Sequence, residues 1–153
     1  MHRILLVQPN FKIGVGSLQG YWLPYSVGCL WSYAQQFDFV NDNFKLADIV
    51  FKRENIDKLL ERIGKIDLVF LSCYMWNWEY NKALAQEIKI THPGCKVIMG
   101  GPQITDKPNN KFFDRFNFVD TVCLTEGEET FVKILQSIAC LLYTSDAADD
   151  TPC

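Results

Sequence analysis

The chain has 153 residues, of which 48% are hydrophobic and 22% charged, a balance that excludes a disordered or fibrous protein. Its apolar stretches are far shorter than the roughly 20 residues of a membrane helix, and no signal peptide is recognisable, so we expect a cytoplasmic protein without a membrane span. The formal net charge is −3, and the body of the chain is nearly neutral because Asp146, Asp149 and Asp150 lie near its end. Nucleic-acid binding is therefore not expected.

The first half of the chain alternates between strand and helix patterns. Residues 3–7 form an apolar run that stops at a Gln-Pro-Asn turn, as a strand buried on both faces does. A helix is predicted over residues 26–36 and a strand over 48–52. A second helix, capped by Asn55 and ended by Gly64, carries apolar residues at the spacing of one helix face: Ile56, Leu59, Leu60 and Ile63.

The second half of the chain repeats this alternation. The remaining predicted elements are a strand over 68–71, a helix around 80–88, strands over 96–99 and 121–124, and a helix over 131–138. Strands that alternate with amphipathic helices at about 30-residue spacing are typical of parallel βαβ units. We therefore predict one α/β domain over residues 1–139, with a doubly wound, five-stranded parallel sheet of the flavodoxin-like or Rossmann-like type.

Residues 140–153 do not fit the alternation. The string CLLYTSDAADD resembles the translation of a transposase adaptor used in sequencing libraries. We interpret residues 140–153 as a non-native tail and expect the natural protein to continue beyond about Ala139. A genuine acidic linker is the alternative.

Four polar or glycine-containing segments follow predicted strand ends, where ligands bind in open parallel sheets. They are Gln8-Pro9-Asn10, Ser72, Gly100-Gly101-Pro102 and Thr125-Glu126-Gly127-Glu128. Gly100 and Gly101 suit either close approach of a ligand or a tight turn. We expect a bulky residue at Gly101 to block a ligand and leave the fold largely intact. Glu126 and Glu128 either accept hydrogen bonds from a ligand or cap a helix whose amides Gly127 exposes.

Aromatic and apolar residues are concentrated in two loops that can line a flat ligand, dock a second domain or simply pack in the core. They are Tyr21, Trp22, Tyr25, Tyr74, Met75, Trp76 and Trp78.

The glycine pattern of a nicotinamide site is absent, and so are the acidic residues that a receiver domain needs after its first strand. The two histidines have no partner suited to acid–base or metal chemistry, so no catalytic site is predicted within this chain.

Five motifs occur in a characteristic order: RILLVQPN, YWLPYSVGCL, DLVFLSCY, KVIMGGPQ and VDTVCLTEGEETF. Over residues 3–138 the chain resembles the N-terminal domain of cobalamin-dependent radical S-adenosylmethionine enzymes. The resemblance implies a set of cobalamin contacts: Asn10, Pro24, Tyr25, Ser72, Gly100, Gly101, Pro102, Glu126, Gly127 and Glu128. Thr125 departs from the family, whose members often have glycine there.

The resemblance also implies how cobalt would be bound. Related carrier domains supply a histidine from the loop after the first strand, whereas residues 9–14 of this chain contain none and place Phe11 there. Cobalamin is therefore expected in the base-off form without a histidine ligand.

The catalytic domain of the family binds a [4Fe–4S] cluster through a C-x-x-x-C-x-x-C motif and also binds S-adenosylmethionine. The six cysteines of this chain do not have that spacing. We expect a non-catalytic fragment whose C-terminal radical S-adenosylmethionine domain, normally present in cis, is missing. A stand-alone cobalamin carrier or sensor, and a structural domain that has lost cobalamin, are the alternatives.

Overall fold

Strands and helices alternate along nearly the whole computed structural model, which describes residues 1–104, 110–124 and 126–146. In chain order the elements are β1 (His2–Asn10), β2 (Lys12–Ile13), β3 (Gly20–Tyr21), α1 (Tyr25–Ala34), α2 (Asp38–Asn43), β4 (Phe44–Lys52), α3 (Ile56–Ile63), β5 (Leu68–Ser72), α4 (Trp78–Thr91), β6 (Lys96–Gly100), α5 (Asn110–Arg115), β7 (Thr121–Cys123) and α6 (Gly127–Asp146). No helix in these ranges is both long and apolar enough to cross a membrane.

The main sheet has five parallel strands in the order β4-β1-β5-β6-β7, which confirms the predicted doubly wound sheet. The chain first passes from β1 to β4 on one side and then returns to place β5 on the other side of β1. The strand order therefore reverses between β1 and β5, and their carboxyl ends flank the crevice where ligands bind in such sheets. A small antiparallel hairpin of β2 and β3 follows β1 at this edge.

Helices cover both faces of the sheet, and β1 shows why its sequence is apolar throughout. Leu5 and Val7 point into a core shared with α3 and α4, whereas Ile4 and Leu6 point into a second core shared with α1, α2 and α6. Alternate side chains of one strand thus enter opposite cores, so the strand has no solvent face.

Helix α3 confirms the predicted boundaries. The Asn55 side-chain oxygen accepts a hydrogen bond from the Lys58 backbone N–H at 3.0 Å, and Gly64 follows the helix with a φ of +69°. Leu59, Leu60 and Ile63 are buried. The local sequence decides this helix because its cap, apolar face and terminator all agree.

Several boundaries differ from the prediction. Strand β1 runs on through the polar residues to Asn10, and β4 begins at Phe44, because pairing with neighbouring strands extends both beyond their apolar runs. The hairpin and the short helices α2 and α5 were not predicted. Helix α6 continues past Ala139 to Asp146, whereas residues 147–153 of the proposed tail, and Thr125, lie outside the described residues.

Candidate functional site

A pocket of about 250 Å³ opens at the carboxyl edge of the sheet, between β5, β6 and β7 on one side and helices α1 and α6 on the other. We call it the edge pocket. Its wall is mainly apolar and includes Val27, Leu30, Phe70, Leu71, Ile98, Phe131 and Ile134. Its mouth is formed by Ser26, Ser72, Tyr74, Gly100, Gly101, Pro102, Cys123, Gly127 and Glu128. The pocket thus has an apolar interior and a mixed polar rim.

The packing of the second core and a glycine at the start of α6 leave the space for the edge pocket. The second core fills the space between the sheet and α6 as far as Phe70 and Phe131, whose rings meet edge to face with centroids 4.4 Å apart. Gly127 begins α6, and a Cβ atom built there would lie 2.9 Å from Leu30 Cδ2, a side chain that lines the pocket. A larger residue at Gly127 would therefore push Leu30 towards the ligand space.

Hydrogen bonds between polar side chains connect α1 to the strands at the pocket mouth. Ser26 Oγ lies 2.8 Å from Gln8 Oε1, to which it donates, and 3.1 Å from Ser72 Oγ. Gln8 is buried near the end of β1 and also accepts from the Val27 backbone N–H at 3.4 Å. The network joins both strands of the crevice to the first turn of α1 and holds two hydroxyl groups at the mouth.

Asn10 connects the two aromatic loops. Its Nδ2 donates to the Trp22 carbonyl at 3.2 Å, and its Oδ1 accepts from Trp76 Nε1 at 3.2 Å. The Trp76 ring stacks on Tyr74 with centroids 4.6 Å apart and meets Phe11 edge to face. These rings form a partly exposed aromatic surface beside the crevice.

Asn77 fixes the ends of β1 and β5 relative to each other. It is fully buried, and its Nδ2 donates to the carbonyls of Ser72 at 3.0 Å and Pro9 at 3.3 Å. Its Oδ1 accepts from the Tyr74 backbone N–H at 2.8 Å. One amide thereby bonds to three backbone groups at the strand-order reversal, and the Ser72 carbonyl also accepts from Asn81 Nδ2 at 3.1 Å.

Gly101 is required by the backbone of the neighbouring strand end. Its φ is +99°, and a Cβ atom built on it would lie 2.7 Å from the Cys73 carbonyl oxygen. The expectation that a bulky residue at Gly101 would leave the fold intact is therefore wrong. The turn interpretation, which the sequence left open, is the one that the geometry supports.

Comparison with known proteins shows the family. Residues 12–135 match the B12 binding domain family. This chain is a B12-binding domain. It is 34% identical over 114 residues to the 2-(S-pantetheinyl)-carbapenam-3-carboxylate methyltransferase of Streptantibioticus cattleyicolor. Over the same number of residues it is 32% identical to the cobalamin-dependent radical SAM methyltransferase TokK of Streptomyces tokunonensis. The resemblance to cobalamin-dependent radical S-adenosylmethionine enzymes is thus confirmed.

The B12-binding domain corresponds to a small part of these relatives. Each match covers 74% of this chain and 17% of the relative. The solved RcsB response regulator of Salmonella typhimurium aligns with 99% of this chain and 63% of its own, at 11% identity and a TM-score of 0.47, a likeness too low to support an argument.

The structure brings most of the predicted site residues of this B12-binding domain together. Six of them line the edge pocket: Ser72, Gly100, Gly101, Pro102, Gly127 and Glu128. Asn10, Pro24, Tyr25 and Glu126 lie at the same edge without lining the pocket. Asn10 ends β1, the next two begin α1, and Glu126 is exposed just before α6.

Sequence reasoning missed the apolar interior of the pocket and Ser26. Phe70, Ile98, Phe131 and Ile134 were predicted only as members of strands and helices, since a pocket wall and a core position have the same apolar pattern. Ser26 directly follows the predicted Pro24-Tyr25 loop, and that adjacency was the one signal that could have identified it.

The two histidines of the B12-binding domain lie away from this edge. His2 begins β1, whose nine residues place it roughly 25 Å from the strand's other end. His92 ends α4 just before β6 begins, again at the amino edge of the sheet. The described residues contain no group of three or more histidine, cysteine or acidic side chains suited to a metal ion.

Two ionisable side chains at the rim of the B12-binding domain, Cys123 and Tyr25, have raised pKa values. Burial raises the pKa of the Cys123 thiol at the pocket mouth, so this sulfur stays protonated and is a poor metal ligand at neutral pH. A hydrogen bond with Cys29 raises the pKa of the exposed Tyr25 phenol, and the nearby Glu128 carboxylate adds to that shift.

Proposed function

We propose that this domain binds cobalamin at the carboxyl edge of its sheet, with the corrin ring over the edge and the nucleotide tail in the edge pocket. The observation that carries the proposal is the pocket itself, an apolar cavity with a polar mouth at the carboxyl edge of the sheet, beside the strand-order reversal of a B12-binding domain.

The size and polarity of the pocket fit the tail of cobalamin. At about 250 Å³ the cavity is below the size that encloses a whole drug-sized ligand, so it suits one part of a larger molecule. The tail ends in dimethylbenzimidazole, a flat apolar base that matches the wall formed by Phe70, Ile98 and Phe131. The hydroxyl groups of Ser26 and Ser72 at the mouth would hydrogen-bond the sugar and phosphate that join this base to the corrin.

The rim around the pocket fits the edge of the corrin ring, which carries amide side chains. Glu126 and Glu128 would accept hydrogen bonds from these amides, and Gly100-Gly101-Pro102 would let the ring approach the backbone. Asn10, Pro24 and Tyr25 belong to the loops on the other side of the crevice and would border the ring there, beside the aromatic surface of Tyr74 and Trp76.

The cobalt would carry neither its own base nor a histidine. The base would be held in the pocket and not on cobalt, and both histidines lie at the opposite edge of the sheet. The loop after β1 presents Phe11, which has no lone pair to donate and is about half exposed at 49%. When bound, cobalamin would supply a cobalt centre able to carry a methyl group, which agrees with the names of both relatives as methyltransferases.

For the whole protein we propose a cytoplasmic, cobalamin-dependent radical S-adenosylmethionine enzyme. The [4Fe–4S] cluster and S-adenosylmethionine would be bound by a further domain in cis, on the C-terminal side of this one. This part of the proposal is supported by the relatives, of whose length the matched region is 17%.

Reconstitution of the 153-residue chain with cobalamin tests the binding proposal. We expect the absorption spectrum of base-off cobalamin, and an electron paramagnetic resonance spectrum of the cobalt(II) form without nitrogen superhyperfine splitting. A clear splitting from one axial nitrogen would contradict the ligand assignment. Absence of binding would instead favour a structural domain that has lost cobalamin.

A pair of variants tests the role of the edge pocket. Ile134→Trp should fill the cavity from the α6 side and weaken cobalamin binding at least about tenfold, because the base can no longer enter. Ile138→Trp is the matched control, since Ile138 lies one turn further along α6 and does not line the pocket. Equal affinities of the two variants in a spectrophotometric titration would refute the tail assignment.

A further inference from the structure

We infer that the edge pocket selects among cobamides by their lower base, accepting a benzimidazole and discriminating against a purine. The inference rests on the proposed function, because it assigns a chemical class to the base that the pocket receives. It follows from the hydrogen-bonding groups that the pocket interior offers and from those that it lacks.

The interior of the edge pocket has no side chain that could pair with a polar base. Its deep wall consists of Leu30, Phe70, Ile98, Phe131 and Ile134, all aliphatic or aromatic. A purine such as adenine carries an exocyclic amino group and ring nitrogens that are hydrogen-bonded to water before binding. Inside this wall those groups would lose water without gaining a partner, and a buried polar group left unpaired is costly.

The backbone around the interior offers no free group either. Phe70 and Ile98 are directly paired in the parallel ladder of β5 and β6, so their peptide groups are used within the sheet. Phe131 and Ile134 lie beyond the first turn of α6, where N–H groups bond within the helix. The N–H groups of α6 that have no partner within the helix belong to its first turn, which is at the mouth of the pocket.

The polar side chains of the mouth are placed to contact the linker of the tail and not its base. Ser26 donates to Gln8 and lies beside Ser72, so both hydroxyls are held at the rim by the network that joins α1 to the strands. The Cys123 thiol also lies at the rim, where burial keeps it protonated by raising its pKa. A purine edge that reaches the wall formed by Phe70 and Phe131 would be beyond these groups.

The outer ring of a benzimidazole has no polar group, so burying it breaks no hydrogen bond to water. Dimethylbenzimidazole presents a hydrocarbon edge and two methyl groups, which would contact Ile98 and Ile134 in the pocket wall. The edge-to-face pair of Phe70 and Phe131, with rings inclined at 69°, provides aromatic surface for the flat base. The ring nitrogen that leaves cobalt is common to both bases, so the difference between them lies in the outer ring, where apolar contacts replace water around dimethylbenzimidazole without leaving a polar atom unpaired.

Titration with three corrinoids distinguishes a failure of this inference from a failure of the proposed function. The 153-residue chain is titrated with cobalamin, with the cobamide that carries adenine as its lower base, and with cobinamide, which has no nucleotide tail. We expect cobalamin to bind at least about tenfold more tightly than the adenine cobamide. Equal affinity for cobalamin and the adenine cobamide would overturn the inference and leave cobalamin binding intact. Cobinamide binding as tight as that of cobalamin would show that the tail is not used, and no binding of any corrinoid would refute the proposed function.

A designed change of preference provides a second test. Ile134→Gln places an amide in the pocket wall, and a glutamine amide can both donate to and accept from the edge of adenine. We expect it to reduce the preference for cobalamin over the adenine cobamide by about tenfold or more. Ile138→Gln, one turn further along α6 and outside the pocket, should keep the wild-type preference. An unchanged preference in Ile134→Gln, with cobalamin still bound, would contradict the inference.

Discussion

Gly100 and Gly101 are adjacent but serve different structural needs. A Cβ atom at Gly100 would lie 3.2 Å from Cys123 Cβ on the neighbouring strand, a tight contact that small shifts can relieve. Gly101 combines a φ of +99° with a position against the Cys73 backbone, whose carbonyl also accepts from the Gln103 N–H at 3.1 Å. The turn that borders the proposed cofactor site therefore depends on glycine for folding as well as for access.

Gly101→Ala should destabilise the domain by roughly 2–4 kcal/mol, because a left-handed residue with a Cβ is strained and that atom has no space. Gly28→Ala is the control, since no atom outside the adjacent backbone lies within 4 Å of a Cβ built there. Within α1 the added methyl group should be neutral or stabilising by up to about 1 kcal/mol. Urea denaturation measures both variants, and equal stabilities would show that the turn tolerates a side chain.

The side-chain amide of Asn77 fixes the positions of three elements relative to one another. Helix α4 begins directly after Asn77, and the turn that leads into it follows β5, so the buried Asn77 side chain fixes the end of β5, the end of β1 and the start of α4 together. The carboxyl ends of β1 and β5 flank the crevice, so this contact holds the two sides of the crevice together. Neither predicted periodicity nor a motif singled out Asn77.

Asn77→Ala should lower the free energy of unfolding by at least about 2 kcal/mol, because the Tyr74 N–H and the Pro9 carbonyl lose their side-chain partner. Asn41→Ala is the comparison, since the exposed Asn41 also donates to a backbone carbonyl, that of Gln35 at 3.0 Å, but water can replace it. The loss there should be within about 0.5 kcal/mol. A similar small loss in Asn77→Ala would mean that the turn does not depend on the amide.

At the scale of the whole molecule, the sheet separates two cores and the edge pocket opens from only one of them. The core with α3 and α4 includes Ile104 and Phe118, whereas members of the core with α1 and α6, such as Phe70 and Phe131, line the edge pocket. Along α6, Ala139 is the last residue that the described structure places in the second core.

The proposed boundary and the proposed enzyme share one test, which is the nucleotide sequence of the locus from an independent library. We expect the codons after about Ala139 to differ from those of CLLYTSDAADD and to continue into a C-x-x-x-C-x-x-C motif. The same codons in native genomic DNA would refute the non-native tail. A stop codon near Ala139 would favour a stand-alone cobalamin carrier or sensor.

The sequence by itself determined which segments form the buried strands and the covering helices of this protein. Apolar runs in β1 and β5 identify strands buried on both faces, and Asn55 and Gly64 delimit α3, because these signals depend only on neighbouring residues. The order of short motifs also placed Ser72, Gly100 and Gly127 at one edge, since parallel strands end on the same side. Local chemistry and the handedness of βαβ units are sufficient for such conclusions.

Only the tertiary structure decided the shape of the site. Phe70 and Ile134 have the same apolar pattern as core residues, and which of them border empty space depends on how α1 and α6 pack over the sheet. Gly101 faces the Cys73 backbone because β5 and β6 are neighbours, a contact that no local pattern contains. Asn77 likewise bonds to Pro9, 68 positions away. Pockets and buried amide contacts arise from long-range packing, so a single sequence does not specify them.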